Sequence, residues 1–418
     1  MNAERRNAER RHVSGALRVM ALCAAGLFVL GSGTARAQIA VRADTIHTMA
    51  GARITDGVVL VRDGRIERVG PASQVAVPAG YREVRAKVVT PGLIDAHTVV
   101  GLSGYLNQPH DQDQVERSAP MQPELRAVDA YNPQDRLVEW IRQHGVTTMH
   151  TGHGPGALIS GQTMVVKTVS PLAAEAILVP EAMVAATLGD GAVAQGRAPG
   201  TRSKAVAMLR AELIKARDYA DKMAGPEDKR PSRDLRLEVL ARVIRKETPL
   251  LVTVQRAVDI QAALRVAKEF DIRVILDGAA EAHLLVDAIK AAGVPVIVHP
   301  TMARANGETE NLSQENAAVL RRAGIPVALQ SGFEGYVPKT RVVLFEAGVA
   351  ASRGLTFDQA LATVTIDAAR LLGVDKRVGS IEAGKDADLA LFDGDPFEYA
   401  THVTGVFIGG RQVSDTVR

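Results

Sequence analysis

Two near-identical tetrads constrain this chain more than any other feature. Ala292-Gly293-Val294-Pro295 is matched by Ala323-Gly324-Ile325-Pro326. In each, a glycine able to end a helix in the left-handed conformation leads into an apolar run. A proline sits near the start of that run, where a missing backbone N–H is tolerated. Similar runs occupy 250–254 and 272–277, so the four runs begin 22, 22 and 31 residues apart. That spacing leaves room for a helix between successive strands, which is the pattern of βα units wound about a parallel sheet. Earlier strands are expected at 88–95, 146–150 and 164–169. The span 91–375 contains 285 residues, close to the ~250 typical of a (β/α)8 barrel.

The flanks read differently. From 39 to 89 the pattern is short β-rich runs with Asp56-Gly57 and Asp63-Gly64, the latter between two alternating segments and therefore a hairpin signal. The same texture returns at 387–392 and 403–408. The expected fold class is α/β: a distorted (β/α)8 TIM barrel over 91–375, with a small composite β-sheet domain built by both chain ends, 38–90 plus 376–418. A polar stretch near 181–248, rich in Arg and Lys and helical over 202–223, reads as an insertion on the barrel.

Residues 1–37 carry Arg5, Arg6, Arg10, Arg11 and Arg18, then an apolar run over 19–30, then Ala35-Arg36-Ala37. This is the layout of a cleaved signal peptide, so the chain is expected to be exported, periplasmic or secreted, with no membrane span after processing. The arginine pairs permit a twin-arginine route beside ordinary secretion. The single cysteine, Cys23, lies within this leader, which excludes a disulfide framework, a CxxC redox centre and a Cys-rich zinc site. Of 50 basic and 47 acidic residues, six Arg and two Glu lie in 1–37, leaving 44 and 45. With that near-neutral balance and only 4% aromatics, no nucleic-acid partner is expected.

Val89-Thr90-Pro91-Gly92-Leu93-Ile94-Asp95-Ala96-His97 resembles the first barrel strand of the amidohydrolase superfamily, in particular its imidazolonepropionase-related members. The segment from Val378-Gly379-Ser380-Ile381 through Asp386-Ala387-Asp388-Leu389, followed by Asp393-Gly394-Asp395-Pro396, is similar to that family's closing segment. The resemblance implies a hydrolase of non-peptide C–N bonds in a small molecule, using one or two divalent metals held at the strand C-termini. The chain departs from that pattern. Where the family has His-x-His, this sequence has His97-Thr98-Val99. Thr253-Val254-Gln255 and Gly278 stand where related histidines are expected, and Gln330-Ser331-Gly332 lacks the metal-binding aspartate.

Only His97 remains of the implied ligand set, and one imidazole does not hold a divalent ion, for which three or four ligands are usual. An alternative site would draw on His150, His153, Asp277 and His299, with one zinc, iron or manganese ion. The commoner expectation is no metal at the usual binuclear centre. Lys167 reads as a paired lysine rather than a metal bridge. Gln255, Arg256, Gln330 and Ser331, with the segment 333–336, are placed to line a ligand pocket at the barrel mouth. Two functions follow: a hydrolase with a reduced or absent metal site, or a catalytically inactive barrel that binds a ligand. Either is compatible with a homo-oligomer or a sister amidohydrolase subunit as partner.

Overall fold

The computed structural model describes residues 38–106, 108–169, 171–193, 196–299, 301, 305–332 and 343–418. The leader read over 1–37 and the segment 333–336 lie outside them. The early strands are β1 (Ile39–Ile46), β2 (Ile54–Arg62), β3 (Arg65–Pro71) and β4 (Arg82–Pro91). They are followed by β5 (Leu93–Thr98), β6 (Val146–Gly152), β7 (Ile159–Lys167), β8 (Ile177–Val179), β9 (Val184–Thr187), β10 (Leu250–Val254), β11 (Val274–Gly278), β12 (Val296–Val298) and β13 (Val327–Leu329). The last three are β14 (Leu389–Phe392), β15 (Val403–Ile408) and β16 (Arg411–Ser414).

Strands from the two chain ends share one sheet, ordered β16-β15-β14-β4-β1-β2-β3. The β2–β3 hairpin turns at Asp63 (φ 52°) and Gly64 (φ 81°), the two positive angles that an Asp-Gly hairpin turn requires. Strand β4 is the keystone, parallel to β1 on one side and antiparallel to β14 on the other. At Gly92 the chain then leaves this sheet for the barrel. A side chain at Gly92 would put its Cβ 2.2 Å from Thr147 Oγ1, so the crossing needs glycine.

The second sheet follows the path β13-β12-β11-β10-β9-β7-β6-β5, with β8 added beside β7. Its ends approach each other at a parallel bridge between Thr98 and Gly332, nearly closing the barrel. All neighbours from β9 to β13 are parallel, as are β5 and β6. Strand β7 is not: it runs antiparallel to both β6 and β9. Only residues 153–158 join β6 to β7, too few for the dozen or more residues of a parallel crossover. Strand β9 lies inside the stretch read as an insertion. The helix read over 202–223 forms as Arg202–Met223, capped by the Thr201 hydroxyl accepting from the Lys204 N–H.

Inside the barrel Ile94, Ala96, Val165, Leu251, Ile275, Ile297 and Ala328 form one buried cluster against Ala368 and Ala369 of the helix Ile366–Leu371. At the end of β7, Lys167 Nζ lies 2.7 Å from Asp386 and 3.0 Å from Asp388. This ties the barrel to the segment leading into β14 and makes Lys167 a paired lysine. No helix among the described residues is long and apolar enough to cross a membrane.

Candidate active site at the barrel mouth

Side chains two residues apart on a strand share a face, so the interior cluster predicts which residues reach the barrel's C-terminal rim. Leu251 is followed by Thr253, Ile275 by Asp277, Ile297 by His299 and Ala328 by Gln330. All four of these polar residues, with His97, Thr98, Val99, Pro155, Gln255, Gly278 and Gly332, line a cavity of about 50 Å³. That volume admits a few waters, each needing at least about 10–15 Å³. A larger hollow of about 860 Å³ lies at the N-terminal ends of the strands, against Ile272, Val294 and Ile325. In barrels of this kind that end serves stability, and none of the candidate residues borders it.

His97 and Asp277 form the centre of the rim. His97 Nδ1 donates to Asp277 Oδ1 at 2.9 Å. Gln330 Nε2 donates to the same oxygen at 2.6 Å, and Thr253 Oγ1 donates to Oδ2 at 2.6 Å. Burial pushes Asp277 towards protonation, but the facing His97 and the Thr253 and Gln330 donors outweigh it and hold the carboxyl below its usual range. For His97, burial acts downward while Asp277 and then Asp95 act upward, and the balance is a raised pKa. His97 Nε2 is buried and has no hydrogen-bond partner among the described residues. It is therefore a polar atom available to whatever occupies the cavity.

The other candidates separate. His299 lines the cavity and packs on Gly332, where an added Cβ would sit 2.6 Å from His299 Nε2. Gln255 also lines it, with Oε1 accepting from the Ala280 N–H at 3.2 Å. His150 lies behind His97, ring centroids 5.3 Å apart, and both its nitrogens are engaged: Nδ1 with Ala96 O at 2.8 Å and Nε2 with Thr163 Oγ1 at 2.6 Å. Burial lowers its pKa to about 3. His153, lowered to about 4 by burial, packs over Gly161 outside the cavity. Arg256 is also outside it, half-exposed at the start of the helix Ala257–Phe270 and 3.9 Å from Glu310. Asp259, three residues further on, pairs with Arg202 at 3.1 Å.

Ser331 turns away from the cavity. Its Oγ donates to Asp95 Oδ2 at 2.5 Å and its N–H to Asp95 Oδ1 at 3.0 Å. The residues missed from sequence are this Asp95 and Thr253. A carboxylate inside the apolar run Leu93–Ala96 was the available signal for the first, and the alternation from Leu251 for the second.

Among the described residues no group of three or more His, Cys, Asp or Glu side chains is arranged to hold a metal ion. At the rim Val99, two residues after His97, is 3% exposed and carries no donor atom, and Gly278 offers no side chain. Both oxygens of Asp277 already accept from protein donors. The donor set does not fit a binuclear centre, and His150 has no free ring nitrogen to add to it.

The family model described as "Amidohydrolase family" matches residues 88–413. The amidohydrolase tasK of Hapsidospora irregularis is 26% identical over 405 residues, 86% of this chain but only 40% of that protein's length. The imidazolonepropionase of Stenotrophomonas maltophilia is 26% identical over 368 residues, covering 81% of this chain and 86% of its own. The crystal structure of an amidohydrolase from Thermotoga maritima MSB8 superposes with a TM-score of 0.84 at 28% identity, covering 90% of this chain and all of that one. With a nearly closed barrel, a polar rim at its strand ends and a family match over most of its length, this chain belongs to the amidohydrolase family, on the branch related to imidazolonepropionases.

Proposed function

We propose that the protein hydrolyses a non-peptide C–N bond of a small molecule at the barrel mouth, with a metal site reduced below the family's pattern. The observation that carries this reading is the convergence of His97, Thr253, Gln255, Asp277, His299 and Gln330 on one cavity at the strand C-termini, where barrel enzymes keep their chemistry. The relatives support the reaction class through their names as amidohydrolase and imidazolonepropionase. The pattern at 1–37 supports export with removal of that segment. N-terminal sequencing of protein recovered from the cell envelope or medium tests this point: a chain starting at Gln38 is expected.

A second reading has a specific observation behind it. Val99 and Gly278 stand at positions where the family places ligands, and neither residue coordinates a metal. On this reading the barrel binds a small molecule, or a sister subunit that keeps the ligands, without turnover. Elemental analysis of the purified chain together with hydrolysis assays on amides and cyclic imides separates the two. Turnover with substoichiometric metal is expected; stoichiometric zinc, iron or manganese would sink the reduced-site reading, and ligand binding without turnover would favour the second.

A further inference from the structure

We propose that His97 and Asp277 form a metal-independent proton-transfer pair, with His97 Nε2 taking a proton from water in the mouth cavity while Gln255 Nε2 donates to the developing oxyanion. The proposal rests on the hydrolase reading above and names the groups that carry it out.

Three observations point this way. First, leaving a buried polar atom unpaired costs about 1–3 kcal/mol, and His97 Nε2 is left so at the wall of a cavity with room for water. A merely structural ion pair needs no such opening. Second, Asp277 accepts from Nδ1 at 2.9 Å, which fixes the tautomer that presents the Nε2 lone pair to the cavity. Asp277 is itself held by Thr253 and Gln330, so the imidazole is oriented by a carboxylate whose two oxygens are both engaged by protein donors. Third, Gln255 Oε1 is occupied by the Ala280 N–H. Its NH₂ group, without a partner among the described residues, is left as a donor at the same cavity.

The step balances without a further reagent. Water oxygen bonds to the carbonyl carbon as one O–H bond breaks and its proton passes to Nε2. The carbonyl electron pair moves to oxygen, facing Gln255. When the tetrahedral species collapses, the C–N bond breaks and Nε2 returns the proton to the leaving nitrogen. The products are an acid and the freed nitrogen group, an amine from an anilide and the amide or urea nitrogen of the ring-opened acid from a cyclic imide or hydantoin, and His97 ends as it began.

The test uses the full chain dialysed against a chelator, with p-nitroacetanilide, succinimide and hydantoin as probes. Hydrolysis that survives chelation and falls about 10²–10⁴-fold in kcat in His97→Gln, with KM little changed, is the expected result for loss of a general base. Hydrolysis that stops on chelation and returns with zinc or manganese overturns the pair and leaves the hydrolase reading intact. So does chelator-resistant hydrolysis that His97→Gln leaves unchanged. No turnover of any probe overturns both. Should His97→Gln fail to fold, nitrogen-15 imidazole spectra of the unaltered protein decide the geometry. A strongly deshielded Nδ1 proton lost in Asp277→Asn is expected, and an Nε2-protonated neutral ring overturns the proposal.

Discussion

Ser331 holds Asp95 by two hydrogen bonds, Oγ to Oδ2 at 2.5 Å and backbone N–H to Oδ1 at 3.0 Å, where the last barrel strand returns to the first. The contact spans the seam that no regular ladder closes. Burial raises the Asp95 pKa to about 6, with the Ser331 and His97 donors acting in the opposite direction. The folded state therefore binds a proton that the unfolded state has released between roughly pH 4 and 6. The stability this gives is full below the unfolded value and is lost as pH rises through the folded one. Ser331→Ala is expected to cost about 1–3 kcal/mol at pH 8, leaving part of a buried charge unpaired. The cost should shrink at pH 5, as measured by urea unfolding at both values.

His150 and His153 act with the opposite sign. Burial holds the first neutral down to about pH 3 and the second to about 4, while unfolded imidazoles protonate near 6.5. Their contribution is present above the unfolded value and is lost as pH falls. Each withdraws up to about 1.4 kcal/mol per pH unit below 6.5. Two imidazoles outweigh one Asp95, so net stability from this region falls between pH 6.5 and 4. His150→Gln should remove most of that slope between about pH 4 and 6 in a pH series of denaturant midpoints, because His153 and Asp95 then nearly cancel. An unchanged slope would show that the ring is not buried neutral.

How far the sequence led can be traced residue by residue. The helix-ending glycines were legible because their role is local: Gly293 and Gly324 take φ of 65° and 82°, and β12 and β13 begin immediately after Pro295 and Pro326. The β9 strand was not legible, because Val184-Ala185-Ala186-Thr187 is short and alanine-rich and gains its strand character from neighbours on both sides. The reversed β7 was hidden for a related reason, since an apolar run states that it is buried but not which way it points. At the site, Asp277, His299, Gln255 and Gln330 reach one cavity because strand alternation carries them there, whereas His97, out of step with Ile94 and Ala96, reaches it where the β5 register shifts between Asp95 and Thr98. Ser331 and Arg256 are one residue further along, and in a strand one residue is the opposite face. The Asp277 shell of Thr253 and Gln330 depends on the alignment of three strands that no local pattern fixes.

Lys167 carries the load between the two sheets. Its Nζ meets Asp386 and Asp388, Arg377 adds a contact to Asp386 at 2.7 Å, and the Gly409 N–H donates to Asp388 at 2.8 Å. Both carboxylates are buried, and Lys167→Met leaves Asp388 without its cation while Asp386 keeps Arg377. A loss of about 3–5 kcal/mol is expected, the usual consequence of removing one partner from a buried ion pair. The double change Lys167→Met with Asp388→Asn should recover part of it. Recovery of nothing in a double-mutant cycle would show that the lysine acts through its alkyl packing instead.

Gly92 tests whether the crossing between sheets is a steric requirement. Its neighbours β4 and β5 belong to different sheets, its N–H donates to Asp388 O at 2.9 Å, and an added Cβ would lie 2.2 Å from Thr147 Oγ1 and 2.7 Å from its Cβ. Thr147 is fully buried and its hydroxyl has no partner among the described residues, so it cannot swing aside into solvent. Gly92→Ala is expected to destabilise by at least the 1–3 kcal/mol typical of overpacking. Thr147→Ala alone should cost less, and combined with Gly92→Ala it should relieve part of the clash. The remaining 2.7 Å approach to the residue 147 Cβ keeps that relief incomplete. Additive losses in the double variant would contradict a direct contact and place the strain in the backbone of the crossing itself.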